Sequence, residues 1–130
     1  MAAHVAGWLL TNELRIWPGR RVSLGHVFRD GQPWRFPLEC PALGMAVLVE
    51  GEPGSHELGI ALSYGDDQAQ ILAPLILNLD CPREQSWLFL ERGPHTLPGP
   101  GTYYVDVSLD GEIVEESQFT LEDMAKTPLA

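Results

Sequence analysis

Tyr103–Tyr104–Val105–Asp106–Val107–Ser108–Leu109–Asp110–Gly111–Glu112 is the stretch that decides the fold class. In an extended chain Tyr103, Val105, Val107 and Leu109 fall on one side, and Tyr104, Asp106 and Ser108 on the other. That two-residue period makes one apolar face and one wet face. Asp110–Gly111 supplies two residues that accept positive φ, so the chain reverses into a second strand over Glu112 to Leu121.

Working outward, Leu43 to Glu50 and Glu57 to Tyr64 read as another hairpin, joined by the turn-rich Gly51–Glu52–Pro53–Gly54–Ser55. Gln70 to Leu79 is almost continuously apolar and predicts a central strand, with Pro74 marking a bulge or an edge. Trp87 to Leu90 is a short strand, and Pro98–Gly99–Pro100–Gly101 is a loop. The N-terminal third offers His4 to Thr11, Leu14 to Trp17 and Val22 to Phe28, punctuated by Pro18–Gly19 and Asp30–Gly31. About seven to nine strands of this kind predict an all-β fold, an immunoglobulin-like or related Greek-key β-sandwich. The expected organisation is one domain over residues 1–122 with a frayed tail over 123–130.

The bulk numbers agree with a self-sufficient domain: 130 residues, 45% apolar and 20% charged. Met1 to Leu10 holds no Lys or Arg, and no apolar run approaches the roughly 20 residues of a membrane span, so a soluble cytoplasmic protein without membrane contact is expected. A net charge of −10 disfavours nucleic acid. The charge is divided unevenly. Residues 1–38 set Arg15, Arg20, Arg21, Arg29 and Arg35 against Glu13 and Asp30, a net +3; the remainder sets Arg83, Arg92 and Lys126 against sixteen carboxylates, a net −13. Alternating strand directions put Cys40 and Cys81 at opposite ends of the domain, which predicts free thiols.

A search for chemistry finds no Gly-rich phosphate loop, no GxSxG elbow and no paired metal-ligand spacing. His4, His26, His56 and His95 are scattered singly; His26 reads as a core-margin residue and the others as surface. Asp66–Asp67 and Asp110–Gly111–Glu112 read as turn chemistry in preference to a calcium loop, and Glu115–Glu116 as edge-strand polarity. No catalytic residue, metal or cofactor is therefore expected. Trp8 and Trp87 read as core. Trp17 and Trp34, at strand ends beside Pro18 and Pro33, are candidates for exposure and for stacking on a ligand.

The early strand around Val5 to Leu10, the Val22 to Phe28 strand, the connector from Val49 to Leu58 and the late hairpin from Pro100 to Glu112 together resemble an uncharacterised family of small bacterial β-sandwich proteins, a domain of unknown function. The resemblance implies the sandwich fold and a bacterial, intracellular setting; it implies no activity. Two functions fit the residues. One is a non-catalytic protein-interaction module, a component of a bacterial multiprotein system, docking through Arg15, Arg20, Arg21, Arg29 and Arg35 or through a strand edge. The other is a small-ligand or carbohydrate-binding module using Trp17 and Trp34. Homo-oligomerisation is compatible with both, because one chain carries segments of opposite charge.

Overall fold

Short alternating segments become twelve strands among the described residues: β1 (His4–Thr11), β2 (Leu14–Trp17), β3 (Arg21–Leu24), β4 (Gln32–Trp34), β5 (Leu38–Cys40), β6 (Gly44–Glu50), β7 (Gly54–Tyr64), β8 (Ala69–Cys81), β9 (Gln85–Glu91), β10 (His95–Leu97), β11 (Gly101–Leu109) and β12 (Glu112–Asp123). The computed structural model describes residues 3–19, 21–81 and 85–124. The count exceeds the seven to nine expected because β4, β5 and β10 are only three residues long, too short for a two-residue period to register in sequence. β12 continues through Asp123, one residue into the segment expected to fray. No helix among the described residues is long and apolar enough to cross a membrane.

Two sheets carry the core. One has the order β1–β6–β9 and the other β4–β12–β11–β7–β8; β2–β3 and β5–β10 are separate two-stranded pieces. Inward residues of both sheets meet in a single cluster. Leu10, Met45, Val47 and Val49 come from the three-stranded sheet, and Leu58, Ile60, Leu62, Tyr103, Val105, Val107, Phe119 and Leu121 from the five-stranded one. Each fully buried aliphatic side chain contributes about 1.5–3 kcal/mol. The Asp110–Gly111 hairpin forms as expected, with φ of 52° at Asp110 and 85° at Gly111, and with a register shift between Val107 and Ser108.

Two strand assignments are corrected. β6 and β7 are not a hairpin: β6 pairs with β1 and β9, and β7 with β11 and β8, so the connector crosses from one sheet to the other. Both strands carry an apolar row, and face-to-face packing buries both rows at once. A two-residue period cannot distinguish that arrangement from side-by-side pairing. β8 is not central but ends the order of the five-stranded sheet; its register against β7 shifts twice around the stretch that holds Pro74, between Ile60 and Leu62 and between Leu62 and Ser63.

Each end of the sandwich is fastened by hydrogen bonds. At one end the Tyr103 hydroxyl donates to the Gly99 carbonyl at 2.6 Å and the Tyr64 hydroxyl to the Pro100 carbonyl at 2.6 Å, with the two rings 4.7 Å apart. Gly99 leaves room for this clamp, since a Cβ there would stand 3.0 Å from the Tyr64 oxygen. At the other end Asp110 accepts from the Glu57 amide at 2.9 Å and pairs with His56 at 2.8 Å, while the other His56 nitrogen lies 2.6 Å from the Glu52 carbonyl. Cys81 pairs in register with Gly54 at that end, and Cys40 lies on β5, which agrees with the opposite-ends reading; Cys40 is a buried free thiol.

Candidate functional site

The β2–β3 hairpin stands outside both large sheets, and its register sorts its side chains. Leu14↔Leu24 and Ile16↔Val22 share one face, and Arg15↔Ser23 and Trp17↔Arg21 share the other. Leu14 is the anchor. It is fully buried, its amide donates to the Ala42 carbonyl at 2.9 Å, and its side chain occupies the space left by Gly44, where a Cβ would clash with the Leu14 Cβ. The root is tied further by the His26 amide to Asn12 Oδ1 at 2.8 Å and the Gly25 amide to the Glu13 carbonyl at 2.6 Å.

Beyond this root the hairpin presents apolar surface to solvent: Ile16 is 60%, Trp17 50% and Leu24 40% exposed. The Trp17 indole donates to Ser23 Oγ at 3.0 Å, which sets the ring across the face shared with Arg15 and Arg21. Arg15 pairs with Glu13. Arg21 is exposed and, among the described residues, has no carboxylate within ion-pair distance. Between β2 and the Pro41–Ala42 segment lies a groove of about 360 Å3, lined by Leu14, Arg15, Ile16, Trp17, Pro41, Ala42 and Glu91.

Sequence reasoning brings only part of its residue set together. Arg15, Arg21 and Trp17 are neighbours. Arg29 lies in the turn before β4, and Arg35 follows β4 beside Phe36, Asp123 and Met124, on the edge of the other sheet. Arg20 lies outside the described residues. Trp34 is half-buried against the core, its ring 5.5 Å from Phe28 and 5.5 Å from His26, with its indole donating to Gln32 Oε1 at 2.8 Å. It is a packing residue, remote from Trp17. His26 is exposed instead of lying at the core margin, and His56 is not a free surface residue: only 11% of its side chain is exposed.

Sequence reasoning also misplaced one aromatic. Trp87 is 50% exposed, not core, and stacks on Phe89 with centroids 6.4 Å apart. Both lie on the outer face of the three-stranded sheet, where the register aligns Gly7, Leu48 and Trp87 in one row and Leu9, Ala46 and Phe89 in the next. The rows beyond them hold Glu50 with Gln85 at one end and Gly44 with Glu91 at the other. The signal was present in β9, where Trp87 and Phe89 alternate with Leu88 and Leu90, but a strand apolar on both sides does not say which side is covered.

The groups best suited to catalysis are occupied or shielded. Burial pushes the Cys40 thiol up to about 11, away from its nucleophilic form. His56 has both ring nitrogens engaged, and its pKa is raised, first by the bond to Asp110 and then by that to the Glu52 carbonyl. Asp110 is lowered, chiefly by the Glu57 amide and then by His56. Among the described residues no group of three or more His, Cys, Asp or Glu side chains is placed to hold a metal ion.

No family model and no curated protein matches the sequence. Among solved structures the chain is similar to the alkylpurine DNA glycosylase AlkC of Pseudomonas fluorescens bound to DNA containing an abasic site analog, at 14% identity and a TM-score of 0.50 over 92% of this chain and 30% of that one. It is also similar to the beta-glucosidase of Listeria innocua in complex with glucose, at 12% identity and a TM-score of 0.44 over 75% of this chain and 17% of that one. The chain thus spans less than a third of either protein. The first likeness speaks for a shared fold and for nothing beyond it.

Proposed function

We propose that this chain is a non-catalytic protein-interaction module, working in the bacterial cytoplasm as one component of a multiprotein assembly. It docks a carboxylate-bearing protein surface through the Arg15–Trp17–Arg21 face of the β2–β3 hairpin. The observation that carries this reading is a half-exposed Trp17, held by Ser23 and flanked on its own face by two arginines. Trp and Arg are the side chains most enriched where binding energy concentrates, and Arg pairs with carboxylates in two-point geometry. A rigid hairpin anchored by Leu14 presents them at little ordering cost. We read the sandwich as immunoglobulin-like, because Tyr103, near the start of β11, bonds back to a carbonyl four residues upstream as the corner tyrosine of that fold does.

The test is affinity purification of the tagged chain from its host, beside a variant carrying Trp17→Ala and Arg21→Glu. A stoichiometric protein that is lost from the variant while its melting temperature stays within a few degrees supports the reading. Retention of that protein by the variant overturns it.

A second reading is favoured by the groove of about 360 Å3 beside Trp17, a volume suited to a small ligand. It retains Trp17 from the expected ligand pair and loses Trp34, which packs elsewhere. Saturable quenching of tryptophan fluorescence by a soluble glycan, abolished by Trp17→Ala, is its expected signature.

A further inference from the structure

We infer that the carboxylate-bearing surface complementary to the hairpin exists on the chain itself, so that the Arg15–Trp17–Arg21 face of one copy docks on the outer face of the three-stranded sheet of another. The inference rests on the reading of the hairpin as a docking face. Its independent support is the make-up of the receiving face.

That face is an apolar band two rows deep. Leu9 is 36% and Trp87 50% exposed, and Leu48 and Phe89 are half-buried beside them. A carboxylate closes the band at each end. Glu50 stands one row beyond Leu48 and Trp87, and Glu91 one row beyond Ala46 and Phe89. On the hairpin face Trp17 stands directly across from Arg21, with Arg15, paired to Glu13, one row nearer the root. An aromatic side chain flanked by the Arg21 cation therefore meets an aromatic band edged by carboxylates. Among the described residues both carboxylates accept from uncharged donors, Glu50 from the Gln85 amide at 3.2 Å and Glu91 from the Gly93 backbone amide at 2.7 Å. Hydrogen bonds from neutral donors leave the negative charge in place for an incoming guanidinium.

The same arrangement decides the symmetry. Hairpin and band adjoin on each copy, with Leu14 seated over Gly44 and Glu91 in the groove beside Trp17, so two copies that dock hairpin to band reciprocally close a twofold dimer. The net charge of −10 opposes association at long range and salt relieves that repulsion, whereas salt weakens the Arg–carboxylate attraction at contact; loss of association in high salt is therefore the signature of the local pairs.

The experiment is sedimentation velocity of the full chain at about 200 μM, in low and in high salt, with two variants. Arg15→Glu/Arg21→Glu removes the cations of the hairpin, and Trp87→Glu spoils the band at a half-exposed position. The expected result is a weight-average mass approaching twice that of the monomer for the wild-type chain in low salt, falling towards monomer in high salt. Each variant alone is then monomeric or nearly so. An equimolar mixture of the two forms a one-to-one pair, because each retains the surface that the other lacks. A monomeric wild type in low salt overturns the inference, as do variants that still assemble singly or a mixture that fails to pair. These outcomes are separate from the fate of the docking reading, which falls only if a captured host protein survives the Trp17→Ala and Arg21→Glu changes.

Discussion

The two sheets share one core but turn different surfaces to solvent. On the five-stranded sheet the outer row of β11 is Tyr104, Asp106 and Ser108, and with Gln68, Glu116, Ser117 and Gln118 part of it lines a polar trough of about 480 Å3. On the three-stranded sheet the outer face carries Leu9, Leu48, Trp87 and Phe89. Exposed apolar side chains are ordinary when scattered; a contiguous set is not, and it marks a surface built to be covered. The hairpin lies over one end of this second face, where Leu14 fills the space above Gly44. The five-stranded sheet exposes Ile76 and Ile113 in the row of Ser108 and Gly59, each 63%, so the difference between the sides lies in the aromatic pair and the hairpin beside it.

The strongest way to break this division is at Leu14, the side chain that joins hairpin to sheet. Leu14→Ala empties a fully buried site and is expected to cost about 2–5 kcal/mol, seen as a lowered chemical-denaturation midpoint, and to abolish partner capture along with it. An unchanged midpoint would mean that the hairpin is not docked where the structure puts it. Tyr103→Phe tests the five-stranded side. It leaves the Gly99 carbonyl without its 2.6 Å donor at the buried end of β11, an expected loss of about 1–2 kcal/mol that leaves docking through the hairpin intact.

How much of this was legible follows from where the period-two rule has force. β11 and β12 were readable because one face is wet and the other dry, and Asp110–Gly111 names its own turn. β6 and β9 carry apolar residues on both faces, so their existence was legible and their outward side was not; Trp87 went to the core for that reason. Pairing partners were invisible for a related reason, because an apolar row asks for burial without saying whether a neighbouring strand or a facing sheet supplies it. At the site, the hairpin was legible from Pro18–Gly19, and its two-faced register brought Arg15, Trp17 and Arg21 together. The separation of Arg29, Arg35 and Trp34 depended on β4 joining β12 in parallel, a pairing of three residues from distant parts of the chain that no local pattern encodes.

Smaller effects sharpen the comparison. Trp87→Ser removes a large aromatic from the outer face and is expected to cost about 1–2 kcal/mol, since its ring is half in solvent and stacks on Phe89. A loss several times larger, measured by urea denaturation, would show that the apolar band belongs to the core and is not made for contact.

The smallest expected effect comes from the His56–Asp110 pair, which joins the β6–β7 crossing to the β11–β12 turn. The groups facing His56 are the Asp110 carboxylate and the Glu52 carbonyl, with the Glu52 charge nearby, and all of them favour the protonated ring. Its folded pKa therefore lies above the ordinary 6.5, so its contribution is fully present below 6.5 and is lost as pH rises through the folded value. Asp110 is shifted the other way, below its ordinary 3.8, so its contribution is present above 3.8 and is lost as pH falls through the folded value. Together they give a plateau between about 4 and 6.5 with a decline on the alkaline side. Solvent screening at this end keeps the amplitude small. Denaturation midpoints of the wild-type chain and of His56→Gln, compared at pH 5.5 and 8.5, isolate it: the two should differ more at the lower pH and converge at the higher. Parallel pH profiles for both proteins would mean that the pair adds nothing, leaving the Tyr64–Tyr103 clamp as the fastening that matters.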